Sequence, residues 1–358
     1  MKIGFIGLPL TGKTTFFNLM TQSAGTSGAS PGKTEANLGT ARIHDPRIDY
    51  LSGIFKPKKI TYAALDLIDI HGITQGGSTS AAHFLEAVRA VDALVHAVRV
   101  FREDSVIHSD GSIDPIRDIE TINMELLFAD LAIIDTRIQR IESGKKSGKE
   151  LLEELAVLKK CKDCLEGGKL IHSLELDDGE KAYLKTFNFL TERPMILLMN
   201  LDEEQFRSGR YDKKAEVEKY AFEKRIPVVE VCAKTELEIS QLEEEDRKLF
   251  MEDLGIQELG IARLATALYD YLGLISFLTV GEDEVRAWTI KKGTTAKAAG
   301  GKIHSDIERG FIRAEVIKYA DFESLGSMHK IKEKGLMRLE GKESVIEDGD
   351  IINFRFNV

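Results

Sequence analysis

Cysteine, long apolar runs and excess positive charge are all scarce in this chain. Cysteine occurs three times, at Cys161, Cys164 and Cys232. Three thiols cannot make a paired disulfide framework, so a reducing, cytoplasmic setting is expected. Cys161 and Cys164 form a C-x-x-C, but within a charged helical stretch and with no second Cys or His pair nearby, which argues against zinc. No apolar run reaches the roughly 18 residues of a membrane span. The first residues read as a buried strand, not as a signal peptide. The net charge of −10 argues against coating of nucleic acid by bulk attraction, so membrane and DNA are not expected partners. Residues 276–358 balance 14 acidic with 14 basic side chains, so the acidic excess lies before them. If any part meets RNA, the C-terminal part is repelled least. The 358 residues suffice for two or three domains with their own cores.

What is present starts at the first residue. Lys2 to Ile6 read as a short strand. Gly7 to Thr14, GLPLTGKT, match the P-loop pattern, and Thr15 to Met20 read as a helix. Gly7 and Gly12 permit the tight turn that aims successive N–H groups at phosphate oxygens. The helix adds its positive dipole end. The backbone from Leu8 through Pro9, Leu10, Thr11 and Gly12 to Thr15 is therefore the expected phosphate cradle. Lys13 is expected between the β- and γ-phosphates, and Thr14 on Mg²⁺. A chance glycine turn before a helix is the alternative, and the apolar strand ahead of it argues for phosphate.

Residues 21–40 are rich in Gly, Ser and Thr with no apolar period and read as a loop. In a P-loop GTPase a threonine here closes on Mg²⁺; Thr34 is the candidate, and a plain flexible loop is the alternative. Ala63 to Ile70 is a second strand, ending in Asp69-Ile70-His71-Gly72, a D-x-x-G that lies 56 residues after Lys13. Asp69 would hold Mg²⁺ through water, and the Gly72 amide would sense the γ-phosphate. Ile73 follows, where Ras-like proteins carry a water-orienting glutamine, so hydrolysis is expected to be slow. Ala93 to Val100 is a third strand, in which His96 reads as a satisfied core histidine. His108, in the polar loop beyond it, is either a water-positioning group or a surface histidine.

Met195 to Met199 is another strand, followed by Asn200, Leu201, Asp202 and Glu203. A guanine reader has N-K-x-D here; the lysine is Leu201 and the final acid is Glu203, so guanine selection is in question. Val228 to Val231 leads to Cys232, Ala233 and Lys234, similar to the S-A-K loop that packs on a base. Asn200 lies 131 residues after Asp69, farther than a minimal domain of this type needs. The extra length, 119–190, carries two amphipathic stripes about a Ser-Gly-Lys turn: a helical hairpin, either a structural arm or a partner-docking one. From Ser276 the pattern changes to five short strands with glycine turns and one helix, Tyr319 to Leu325, as in a β-grasp.

Together these residues resemble the YchF/Obg-like ATPases, over the whole chain. The C-terminal stretches EVRAWTIKKGTTAKAAGGKIHSDIERGFIRAEVI and EGKESVIEDGDIINFRFNV look like that family's TGS domain, and N-L-D-E at Asn200 matches its N-x-x-E signature. The resemblance implies an α/β P-loop NTPase (G) domain, 1–118 and 191–275, with an inserted helical coiled-coil arm, 119–190, and a TGS-like β-grasp domain, 276–358. It further implies ATP bound in preference to GTP, Mg²⁺ as cofactor, and a loop histidine, His108, that assists hydrolysis. A cytosolic location and a ribosome or ribosomal-RNA partner, reached through arm and TGS domain, are also implied. The sequence departs from the family where GLPNVGKST is GLPLTGKTT, with Leu10 and Thr11 replacing Asn and Val, and where the first loop reads GKTEAN. A nucleotide-binding scaffold with little hydrolysis, and a GTPase, are the alternatives.

Overall fold

A computed structural model describes residues 1–22, 37–72, 78–144 and 148–357. Its elements in chain order are β1 (Lys2–Ile6), α1 (Lys13–Gln22), β2 (Asn37–Ile43), α2 (Pro46–Phe55), β3 (Lys59–Thr61), β4 (Ala63–Asp69), α3 (Ser78–Arg89) and β5 (Ala93–Arg99). There follow α4 (Pro115–Ser143), α5 (Lys149–Glu166), α6 (Asp178–Leu184), β6 (Met195–Asn200), α7 (Glu203–Ser208), α8 (Lys214–Lys224), β7 (Val228–Val231), α9 (Ala233–Gln241), α10 (Glu244–Asp253) and α11 (Gly260–Tyr271). The chain ends with β8 (Leu274–Thr279), β9 (Glu284–Lys291), α12 (Ala296–Ile303), α13 (Ser305–Arg309), β10 (Phe311–Ile317), α14 (Tyr319–Leu325), α15 (Met328–Glu333), β11 (Arg338–Glu340) and β12 (Ile351–Phe356). No helix among the described residues is long and apolar enough to cross a membrane.

Two compact units form: Met1–Ala41 with Asp66–Leu264, and Arg42–Leu65 with Ala265–Val358. The first is built on a six-stranded sheet in the order β2-β4-β1-β5-β6-β7. From β4 to β7 its strands run parallel. β1 lies between β4 and β5, so chain connections leave it in opposite directions and open a crevice at its C-terminal end. β5 and β6 are buried at every position, which a parallel sheet covered on both faces demands. Ile6, Leu94, Val98, Leu197 and Met199 pack there with Val88, Ile119, Ile122 and Leu126.

The helical insert begins earlier than its hydrophobic stripe suggests. Asp114 accepts from the Arg117 amide as N-cap, and Pro115 opens α4. The first half of α4, through Leu126, belongs to the core of the nucleotide sheet. Its second half makes a separate core with α5: Leu127, Ile134, Ile138, Val157, Leu158, Cys161 and Leu165. The buried Asp130 carboxylate accepts from the amides of Leu190 and Thr191 and from the Thr191 hydroxyl, which pins the chain where it returns toward β6.

The second unit is a sheet in the order β11-β10-β12-β8-β9-β3, with α12 beside it. The first and last strands of its C-terminal part, β8 and β12, run parallel, as a β-grasp requires. The five expected strands are all present, with three helices, α12, α13 and α15, that the sequence pattern did not suggest. Gly300 and Gly301 depress helix propensity in α12, yet a Cβ at Gly300 would press on Ile307 and approach Phe354, so close packing favours glycine there. The sixth strand, β3, comes from far upstream and pairs in parallel with β9. Residues 42–65, which read as part of the first domain, thus pack in the second unit. Ile48 and Leu51 of α2 share a core with Leu278, Val285, Phe322 and Ile351, and Arg47 pairs with both Asp45 and Asp348.

Candidate functional site

The turn after β1 is shaped by three residues with positive φ: Gly7 (142°), Leu10 (60°) and Gly12 (93°). A Cβ on Gly7 would strike the Ala97 carbonyl of β5, and one on Gly12 the Asn200 amide nitrogen. Glycine is required at both places. The Thr11 hydroxyl donates to the Leu8 carbonyl at 3.1 Å. Lys13 Nζ curls back onto the carbonyls of Gly7 (2.9 Å) and Leu8 (2.6 Å). Its burial lowers its pKa to about 8, against the opposing pull of Asp69.

β4 pairs with β1 so that Asp69 stands beside Phe5, and this register brings Asp69 to the start of α1. Thr14 Oγ1 donates to Asp69 Oδ2 at 2.8 Å. A hydroxyl beside a carboxylate is the hard-oxygen set that Mg²⁺ takes. A Cβ on Gly72 would lie 2.7 Å from the Gly7 carbonyl and 3.2 Å from the Pro9 nitrogen, so the D-x-x-G turn rests directly on the phosphate loop. Thr34 and Ile73 lie outside the described residues.

Asn200, at the end of β6 and 4 % exposed, ties three loops together. Its Nδ2 donates to the Thr11 carbonyl at 3.0 Å and its Oδ1 accepts from the Ala233 amide at 3.1 Å. Beyond it, Leu201 is buried. Asp202 caps α7 by accepting from Gln205, and its second oxygen accepts from the Arg102 amide. Glu203 pairs with Arg207 one helical turn on.

Leu10, Gly12, Thr15, Asn200, Leu201, Glu203, Ala233 and Lys234 together line one cavity of about 1000 Å³. Leu8, Pro9, Thr11, Lys13, Thr14, Asp69, Gly72 and Cys232 do not line it; Cys232 is buried and accepts from the Thr235 hydroxyl. Phe101, Arg102, Glu103 and Val106 also line it, and sequence reasoning passed them over. Their signal was position: they follow a central strand of a parallel sheet, where such crevices open. Arg99 holds this segment. Its buried guanidinium donates to the carbonyls of Phe101 and Glu103 and lies 4.4 Å from the Phe101 ring centre.

His108 is not in the cavity lining. It is buried, Nε2 lies 2.9 Å from Asp118 Oδ2, and Nδ1 accepts from the Asp110 amide. Accepting at Nδ1 leaves the ring proton on Nε2, facing Asp118. Arg117 binds the other Asp118 oxygen. The surface-histidine alternative therefore fails, and a water-positioning role requires His108 to leave Asp118. His96 is buried as expected but not satisfied: neither ring nitrogen has a partner among the described residues. Burial, with Lys13 adding to it, lowers its pKa to about 3, so it is neutral.

Residues 2–134 match a family model described as a 50S ribosome-binding GTPase, and residues 274–357 match the C-terminal domain of YchF GTPases, described as a protein of unknown function. The Ribosome-binding ATPase YchF of Bacillus subtilis is 42 % identical over 365 residues, covering all of both chains. The chain belongs to the YchF family. Its Escherichia coli O157:H7 relative of the same name is 40 % identical over 362 residues, covering all of this chain and 99 % of that one. A solved structure described as the Schizosaccharomyces pombe YchF GTPase superposes with a TM-score of 0.88 at 31 % identity, covering 99 % of this chain and 97 % of the other. The P-loop domain with a C-terminal domain is thus the YchF architecture, and the first unit is a GTPase-type nucleotide-binding domain.

Proposed function

We propose that this chain is a Mg²⁺-dependent P-loop NTPase that prefers ATP to GTP, hydrolyses it slowly, and acts in the cytoplasm as a nucleotide-gated switch on ribosomes. The observation that carries the reading is the cavity of about 1000 Å³ that runs from the phosphate loop to Asn200 and Ala233. Lys13 would exchange the Gly7 and Leu8 carbonyls for phosphate oxygens, and the loop amides with the α1 dipole would complete the cradle. Thr14 and, through water, Asp69 would hold Mg²⁺, with Thr34 as a further candidate. When bound, the ion neutralises charge on the β- and γ-phosphates. Gly72 rests on the phosphate loop and would report γ-phosphate.

The preference for ATP is supported at the base end. A guanine reader needs a carboxylate free to accept two N–H groups. Asp202 is engaged by Gln205 and Arg102, Glu203 pairs with Arg207, and Leu201 supplies no charge. The relatives named ribosome-binding ATPases support both the nucleotide and the ribosome assignment. The helical arm and second unit are the candidate docking surfaces, ribosomal RNA included. Slow turnover follows from isoleucine at position 73 and from the hold of Asp118 on His108.

Calorimetric titration of ATP and GTP with Mg²⁺, on the parent and Lys13→Ala, followed by phosphate release, tests this. Tight ATP binding lost in the variant, with slow release, supports the switch. Binding without release favours a scaffold, the second reading that the His108–Asp118 pair suggests. Tighter GTP binding would overturn the base-end argument.

A further inference from the structure

Leu10 breaks two local rules at once. It is a leucine at φ +60°, a conformation that residues other than Gly, Asn and Asp seldom take. It also leaves 60 % of an apolar side chain exposed. Its neighbours impose the conformation: Thr11 and Lys13 bind the Leu8 carbonyl on one side, and Asn200 binds the Thr11 carbonyl on the other. Strain held this way at a ligand cavity points to use. Leu10 lines that cavity with the half-buried Phe101, Val106 and Leu237.

We propose that Leu10 is an apolar lid on bound nucleotide, closing with Phe101 over the sugar and base, and so sets how long nucleotide stays. The inference rests on the nucleotide reading above and adds the control of release. The lid touches carbon and ring faces, not the hydrogen-bonding edge of the base. It therefore slows release of adenine and guanine nucleotides alike and leaves their discrimination to the far end. Arg99, by bracing the carbonyls of Phe101 and Glu103, holds the opposing wall in place.

The test is stopped-flow release of a fluorescent N-methylanthraniloyl-ADP, chased with excess ADP, from the full chain and from Leu10→Gly, Leu10→Asn and Leu10→Met. The Gly and Asn variants are expected to release roughly five- to tenfold faster, the effect of re-exposing part of a leucine side chain. Association is expected to stay unchanged and Met to stay within about twofold of the parent. Relief of the positive φ keeps the melting temperature of nucleotide-free Leu10→Gly at or above that of the parent. Release from Gly and Asn within twofold of the parent overturns the lid. Faster release with a lowered melting temperature also overturns it, because a loosened loop then explains the effect. If the parent binds neither adenine nor guanine nucleotide, the nucleotide reading itself falls and the lid with it.

Discussion

Asn200 offers the sharpest perturbation, because one small buried side chain joins the phosphate loop to the turn after β7. Asn200→Ala removes two hydrogen bonds, to the Thr11 carbonyl and from the Ala233 amide. Each bond contributes about 1 kcal/mol net, and a buried group left without a partner costs about 1–3 kcal/mol. The expected loss is therefore about 2–4 kcal/mol, shared between stability and nucleotide affinity. At about 2–4 °C per kcal/mol for a domain of this size, the nucleotide-free chain should melt up to about 4–16 °C lower, the full range applying if the whole loss falls on stability. Asn200→Asp is the control for shape. Its carboxylate still accepts from Ala233 but faces the Thr11 carbonyl with no proton to give. That repulsion raises the folded-state pKa of the new aspartate above its unfolded value. The deficit of Asn200→Asp should therefore shrink as pH falls toward that raised pKa, while the deficit of Asn200→Ala stays flat. Calorimetric melting between pH 5 and 8, with ATP titration at each pH, reads both. An Asn200→Ala chain that melts within 1 °C of the parent and binds ATP equally well would refute the reasoning.

Three further outcomes follow from the same geometry. Lys13 has its pKa lowered by burial to about 8, so its charge is a stability cost below that pH, and the cost is relieved as pH rises from about 8 toward the normal lysine value. The stability of Lys13→Met relative to the parent should decline over that window in nucleotide-free melts. Leu51→Ala empties a fully buried site and should cost about 2–5 kcal/mol. The loss should appear in the fluorescence transition of Trp288, the only tryptophan, which lies on β9 of the second unit; an unmoved transition would show that 42–65 is not part of that unit. The thiols of Cys161, Cys164 and Cys232 are all buried, and burial first, then Cys164, raises Cys161 to about 12. Ellman's reagent should find no rapidly reacting thiol at pH 7.5 in the native chain and three in denaturant.

Local letters sufficed where a motif is contiguous. Gly7, Gly12, Lys13 and Thr14 could be read directly, because a turn that bares backbone amides to phosphate admits few residues. The strands of the first sheet other than β2, the hairpin and the five C-terminal strands were legible from apolar pattern, since that pattern reports which face is buried; β2 was missed, because its first residues, 37–40, carry no apolar period and read as loop. The family likeness could also be read from contiguous stretches, and the comparisons bear it out.

What needed the tertiary structure was decided by pairing between distant residues, which no local pattern encodes. Hydrogen bonding of β3 to β9 transfers 42–65 to the second unit, although its sequence neighbours belong to the first. Phe101 to Val106 read as an ordinary polar loop until Arg99 and the crevice beside β1 made them a wall of the cavity. The N-L-D-E string put guanine reading in question, but only the structure shows where its side chains go: Asp202 caps α7 and accepts from the Arg102 amide, and Glu203 lies at the surface beside Arg207. His108 shows the same dependence: a histidine in a polar loop is exposed by default, and only the fold brings Asp118, ten residues on, within 2.9 Å of it. The sequence by itself determined the chemistry available along the chain; which groups spend that chemistry on each other was decided by register, capping and burial.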